Sequence, residues 1–216
     1  MRRAAFFDMD KTLVRANTGV LYARWRFRRG ESGVRDLMRV AWWSAQYSAG
    51  VVDAGAVSRF AASTLSGREE EAFADECRAW FREMVLPIVA VRGRQEVERR
   101  RREGYVLAIL TGSSPYAARP LGEELGIEHA LSSTLEVTDG RFTGLVEPPL
   151  CFGEGKVERA RRFAEAHDVD LTASVFYTDS VSDLPMLRAV GEPIVVNPDP
   201  RLRVHARRHG WRSERW

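Results

Sequence analysis

Phe6-Phe7-Asp8-Met9-Asp10-Lys11-Thr12-Leu13 begins as an apolar run and stops at two carboxylates. Ala4 to Phe7 read as a short buried strand that ends where Asp8 interrupts it. Asp8 and Asp10 lie two positions apart, so along an extended chain their side chains share one face. At the carboxyl end of a strand in an open α/β sheet, that face looks into the crevice where ligands bind. Two like charges held so close call for a cation or a shared proton. Read alone, the same residues also make an acidic turn in which Thr12 caps the next element. The choice rests on the remainder of the chain.

The 216 residues, 44% of them hydrophobic, suffice for a full core and fit one domain, or one domain carrying a smaller insert. The longest early apolar run, Ala4 to Phe7, is too short for a signal-peptide core, and no stretch reaches transmembrane length. A cytoplasmic protein without stable membrane association is expected. Cys77 and Cys151 have neither metal-ligand spacing nor a disulfide framework, which agrees with a reducing compartment. His129, His167, His205 and His209 likewise share no metal-ligand spacing.

The net charge is +3, but of 33 basic residues only Lys11 and Lys156 are lysines. Arginine serves wherever a solvated cation would do, so Arg99 to Arg102 read as a solvated helix face and no nucleic-acid partner is expected. Arg24, Arg26, Arg28 and Arg29 take the same reading. That habit makes Lys156 informative. It follows Gly153-Glu154-Gly155 at the start of a helix-like run, where a compact ammonium can act as a point charge for a phosphate or a developing anion, or simply lie on the surface.

Beyond the opening strand the chain turns helical. A first helix covers Gly19 to Arg29; from Val34 the apolar residues Val34, Leu37, Met38, Ala41, Trp42 and Ala45 follow one helical face. A shorter helix spans Ala54 to Thr64 between turn signals at Gly50 and Ser66-Gly67, and Phe73, Cys77, Trp80, Phe81, Met84 and Val85 repeat the helical spacing. This is an all-helical insert over residues 15–86, with Pro87 marking the return to a main domain made of residues 1–14 and 87–216.

From there the pattern alternates. Gly93 to Glu103 is a charged helix, Tyr105 to Leu110 a buried strand, Pro115 to Leu125 a helix ending at Gly126, and Ala130 to Val137 strand-like. Asp139-Gly140 signals a hairpin between Leu135-Glu136-Val137 and Phe142 to Val146. Glu154 to His167 reads as a helix, Ser174 to Tyr177 as a strand, Leu184 to Val190 as a short helix and Ile194 to Val196 as a strand; Asn197-Pro198-Asp199-Pro200 opens a turn and a closing helix. Strands alternating with helices predict a Rossmann-like α/β fold, a mostly parallel sheet with helices on both faces.

Two further strand ends carry chemistry. Thr111-Gly112-Ser113-Ser114 offers hydroxyls and backbone amides suited to a phosphate at the start of the next helix, and equally a plain helix cap. Asp179 and Asp183 place one carboxylate at a strand end and the other in the adjoining helical turn, where a negative charge is also favourable in its own right.

Taken together, Asp8-Met9-Asp10-Lys11-Thr12, Thr111, Lys156 and the pair Asp179/Asp183 resemble the four ordered motifs of the haloacid dehalogenase (HAD) superfamily of phosphohydrolases. The helical insert after the first motif is similar to the cap of its phosphoserine phosphatase-like branch, subfamily IB. The resemblance spans residues 6 to 183. It implies that Asp8 attacks phosphorus to form an aspartyl-phosphate and that Asp10 acts as acid, then base. It also implies Mg2+ held by the Asp8 carboxylate, the Asp10 backbone carbonyl and Asp179, with Asp183 in support, and a phosphate gripped by Thr111, Gly112 and Lys156. An aspartate at position 10 favours phosphatases over dehalogenases of the same superfamily.

Two departures bear on the substrate. Where phosphoserine phosphatases carry a glutamate that reads the substrate's amino group, this chain has Asn17, a position for substrate specificity; where they carry an asparagine before the last motif aspartate, it has Ser182. Asn17 supplies no charge to pair with an ammonium. Trp25, Trp42, Trp43 and Tyr47 are expected to fill the cap core, or in part to admit an apolar phosphate ester. The implied function is a Mg2+-dependent phosphatase acting on a small phosphorylated metabolite. A phosphotransferase on the same fold, and a non-catalytic module gripping an anionic, nucleic-acid or membrane surface, are the alternatives; the complete carboxylate set argues against the last.

Overall fold

The structure, a computed structural model, describes residues 1–48 and 54–216. The turn expected at Gly50 lies outside them, as do the side chains of Ala45 and Tyr47. Strand β1 (Ala4–Phe7) is followed by helices α1 (Thr18–Arg28), α2 (Val34–Ser48), α3 (Ala54–Ser63) and α4 (Glu70–Trp80), and a π-helical turn at Phe81–Val85 leads the chain back. The alternating part comprises α5 (Val91–Arg102), β2 (Val106–Leu110), α6 (Pro115–Leu125), β3 (His129–Leu131), β4 (Leu135–Thr138), β5 (Arg141–Val146), α7 (Glu154–His167), β6 (Val175–Thr178), α8 (Leu184–Ala189), β7 (Glu192–Val196), α9 (Pro200–His209) and β8 (Arg212–Glu214).

Six strands form one parallel sheet in the order β3-β2-β1-β6-β7-β8. Strand β1 lies inside it, with Phe7 opposite Ile109 on one side and Tyr177 on the other. Its period-two alternation feeds two cores. Ala5 and Phe7 pack with Val97 of α5 and with Ala118 and Leu121 of α6; Ala4 and Phe6 pack with Phe163 of α7, Met186 of α8 and Leu202 of α9. Burial on both faces is why the strand reads as an unbroken apolar run rather than an alternating one.

Four expectations need correction. The strand-like run Ala130 to Val137 is two strands: β3 joins the main sheet beside β2, and β4 pairs antiparallel with β5. β3 stops where its neighbour ends, at the buried Ser132 and Ser133. The hairpin β4–β5 then reaches the helical segment, where Gly67 N donates to Phe142 O at 2.8 Å and Phe142 N to Arg68 O at 3.0 Å. Phe142 joins Leu65, Phe73, Cys77 and Tyr116 in a third core, so strands from the far half of the chain pack against the helical insert.

The apolar face expected to be buried on α2 is largely in solvent: Val34, Met38 and Trp42 are 56, 67 and 65% exposed. Of that face Leu37 is half-buried, as are Val40 beside it and Trp43, which stands edge-on to Phe60. The core tryptophans are Trp25 and Trp80. Within the arginine run, Arg100 is buried, held by Glu96, Glu192 and the hydroxyls of Tyr105 and Tyr177. Beside its helical neighbour Glu96 it reaches Glu192 of β7 at 2.7 Å, a contact helical spacing does not announce. Finally, the closing helix α9 is followed by β8, whose Arg-Ser-Glu sequence carries no apolar signal and which pairs with β7 through backbone alone.

Candidate active site

Asp8 leaves the sheet in register, its N–H donating to Tyr177 O at 2.9 Å, so the nucleophile candidate is set by the neighbouring strand β6. The chain then bends sharply. Val14 N returns to Met9 O at 2.9 Å, and Lys11 adopts φ of 54°, a left-handed conformation uncommon outside glycine. The Asn197 amide donates to Lys11 O at 3.1 Å and braces this bend from the end of β7.

Beyond the bend, Asp10 lies half-buried at the N-terminus of α1. Its Oδ1 accepts the Thr18 N–H at 3.0 Å and its Oδ2 accepts the Asn17 side-chain amide at 3.1 Å. Asn17 Oδ1 meanwhile accepts the Val20 N–H at 3.0 Å as the N-cap of α1. The same helix touches the second motif, since the hydroxyls of Thr18 and Ser113 lie 3.1 Å apart.

Lys156 sits in the first turn of α7 with 2% exposure, and its Nζ donates to Asp8 Oδ1 and Asp183 Oδ2, both at 2.7 Å. Glycine is required just before it, because a Cβ on Gly155 would lie 1.8 Å from Leu150 O. Asp183 Oδ2 also accepts the Thr178 hydroxyl at 2.6 Å, whereas Asp183 Oδ1 is buried with no hydrogen-bond partner among the described residues. Asp179 is also buried, its backbone O accepting Asp199 N at 2.9 Å; among the described residues its carboxylate receives no hydrogen bond.

Thr111 and Gly112 lie one strand away from Asp8. The buried Thr111 hydroxyl accepts Ser113 N at 3.2 Å, and a Cβ on Gly112 would come within 3.4 Å of Cys151 O. Asp8, Lys156 and Asp183 are thus in direct contact, Asp10 comes one bend later, and Thr111 with Gly112 forms the adjacent wall.

The charges are unbalanced. Burial pushes the Asp8 carboxyl up to about 7; Lys156 opposes this and Asp183 adds to it. Burial raises Asp179 well above the ordinary carboxylate range, and the Asp8 charge raises it further. Burial also raises Asp10, against the hydrogen bonds from Thr18. Lys156 and, for Asp10 and Asp179, Lys11 oppose these shifts, yet burial and mutual repulsion still leave the cluster's carboxyls raised.

That arrangement fits a hard divalent cation. The orphaned Asp183 Oδ1 and the undonated Asp179 carboxylate are oxygens with unmet demand, the ligand type Mg2+ takes. No three His, Cys, Asp or Glu side chains among the described residues are already gathered into a cage. Mg2+ does not need one, because it binds through one or two carboxylates and fills its remaining positions with water and substrate phosphate.

Several supporting groups are invisible at the level of motifs. Thr178 holds Asp183, Asn197 holds the Lys11 bend, and Asp199 accepts Val181 N at 2.6 Å while capping α9. In sequence Asp199 carries only the signature of a helix cap.

Comparison with known proteins leads in the same direction. The family model of haloacid dehalogenase-like hydrolases matches residues 5–188. The chain is 30% identical over 214 residues, 97% of its length and 77% of the other's, to a Streptomyces azureus protein named for inhibition of morphological differentiation. It is 28% identical, over 98% of this chain and 97% of the other, to a histidinol-phosphatase of Neisseria meningitidis. A crystal structure of a Bordetella pertussis protein of unknown function superposes with a TM-score of 0.89 at 29% identity, covering 99% and 98% of the two chains.

Proposed function

The chain belongs to the haloacid dehalogenase-like hydrolases, and from that membership we propose a Mg2+-dependent phosphatase that hydrolyses a small phosphorylated metabolite through an aspartyl-phosphate. The observation that carries the proposal is the buried bridge from Lys156 to Asp8 and Asp183, 2.7 Å on each side, beside carboxylate oxygens that lack donors.

Residues 15–86 form the cap, and residues 1–14 and 87–216 the core that performs the chemistry. The Asp8 carboxylate, the Asp10 carbonyl and Asp179 hold Mg2+, with Asp183 in support; the ion supplies charge neutralisation for the phosphoryl group. Thr111, Gly112 and Lys156 bind the phosphoryl oxygens. An Asp8 oxygen attacks phosphorus while the ester P–O bond breaks, and Asp10 passes its proton to the leaving oxygen. Water then attacks the same phosphorus, Asp10 takes its proton, and the P–O bond to Asp8 breaks. Inorganic phosphate departs, Asp8 is again a carboxylate and Asp10 is again protonated.

Asn17 carries no charge to pair with a substrate ammonium, so a phosphoserine substrate would need another carboxylate of the cap for that contact. The free, buried Cys77 and Cys151 suit a reducing compartment, and we place the protein in the cytoplasm.

The test is release of phosphate from 4-nitrophenyl phosphate. Activity is expected with Mg2+, lost on chelation, restored by added Mg2+, and abolished in Asp8→Asn with the melting transition retained. Hydrolysis that survives Asp8→Asn refutes the mechanism.

A further inference from the structure

Asn17 stands where a substrate-reading residue was expected, yet both polar atoms of its side chain point into the protein's own machinery. Its Oδ1 accepts Val20 N at 3.0 Å and its Nδ2 donates to Asp10 Oδ2 at 3.1 Å. The two contacts fix the amide's orientation, because only the oxygen can accept from an N–H and only the nitrogen can donate to a carboxylate. The neighbouring Thr18 N–H takes the other oxygen of Asp10, so each carboxylate oxygen is held from the first turn of α1. Gly19 makes room for this, since a Cβ there would lie 3.3 Å from Asn17 Oδ1.

We propose that Asn17 is a positioning residue for Asp10: it aims the acid/base carboxylate at the leaving oxygen and ties that aim to the seating of α1. This rests on the phosphatase reading, in which Asp10 protonates the departing ester oxygen. A glutamate at position 17 could not do the same work, having no N–H and bringing a like charge against Asp10. The substitution that removes the ammonium reader therefore supplies a donor to the acid, two consequences of one residue.

Esters differ in how much they need that acid. A 4-nitrophenolate leaves without a proton, whereas an alkoxide does not, so a misaimed Asp10 penalises alkyl phosphates selectively. The value of kcat/KM covers only the steps through transfer to Asp8 and so isolates the acid's role. The experiment compares 4-nitrophenyl phosphate with glycerol 2-phosphate in the whole 216-residue chain with Mg2+, using Asn17→Ser and Asn17→Asp. Both variants keep an N-cap acceptor for α1. The serine is too short to reach Asp10, and the aspartate replaces the donor by a like charge.

The expected result is an alkyl-to-aryl kcat/KM ratio lower by about 10- to 100-fold, carried by kcat with KM for glycerol 2-phosphate little changed. A burst of nitrophenolate stoichiometric with enzyme is also expected, because Asp10 is the base for the second step. Equal losses on both substrates, no change, or a loss carried by KM overturns the proposal, the last returning Asn17 to substrate recognition. Parallel loss of activity and melting temperature in both variants assigns a purely structural role and overturns it too. Failure of the phosphatase reading itself is told apart by Asp8→Asn.

Discussion

Replacing Lys156 by methionine keeps the volume of the stem and deletes the one ammonium that touches both Asp8 and Asp183. Its side chain is 3% exposed, and those of Asp8 and Asp183 are 10 and 2%, so water cannot stand in for the lost charge. Removing one partner of a buried ionic group costs about 3–5 kcal/mol, mostly the penalty for the carboxylates left behind. At roughly 2–4 °C per kcal/mol for a chain of this size, the melting temperature in metal-free buffer should fall by about 6–20 °C. Urea denaturation gives the free energy directly. A second variant, Lys156→Met with Asp183→Asn, removes one stranded carboxylate and should recover part of the loss, with a coupling of about 0.5–3 kcal/mol. A loss under about 1 kcal/mol in the single variant, or strict additivity in the pair, would refute the claim that this bridge is a desolvated charge cluster.

Other outcomes rest on the same geometry. Mg2+ should raise the melting temperature, by about 2.7 kcal/mol of stabilisation at a hundred times its dissociation constant. Asp179→Asn, measured by the same melts, should erase that rise while stabilising the metal-free protein by relieving repulsion with Asp8. Among the aromatics, Trp25→Ala should cost about 3–5 kcal/mol by urea denaturation, given its 2% exposure and the 2.6 Å bond from Nε1 to Glu83, whereas Trp42→Ala should stay within about 0.5 kcal/mol. Although burial works against it, hydrogen bonds from Arg99 and Tyr177 hold the Glu96 carboxyl below its ordinary range. A lowered folded pKa means stability present above the unfolded value, about 4.3, and lost as pH falls through the folded one. Glu96→Gln should therefore flatten the acid limb of a stability-versus-pH curve, and an unchanged limb would count against the network.

The family and the sheet were legible because their signals are local. A strand buried on both faces must be apolar throughout, and Asp8, Thr111 and Asp179 each come directly after such a run. Lys156 stood out only because arginine fills nearly every other basic position. What stayed hidden depends on contacts between distant segments. Helical periodicity named an apolar face on α2 but could not say that its Val34, Met38 and Trp42 would stay in solvent while Val40, outside that face, is half-buried. Neither Arg100 nor Asp199 differs in sequence from a surface arginine or an ordinary cap. β8 pairs through backbone atoms, which every residue has. For Asn17, comparison with a family pattern pointed outward to substrate, while its amide points inward to Asp10.

The position of β1 has a further consequence, for the order in which the protein can be assembled. It is made first, yet it is laid between strands that come much later: the Ala4 N–H is satisfied by Ser174 Oγ, 170 positions on, and Asp8 meets Lys156 148 positions on. During synthesis, Ala4 to Phe7 must therefore wait unpaired until β2 has emerged, and with one edge open until β6 follows, the kind of segment that invites association with other chains. Closing contacts over such separations is slow. Phosphate turnover should thus be among the last properties to appear on refolding, after helix content has returned.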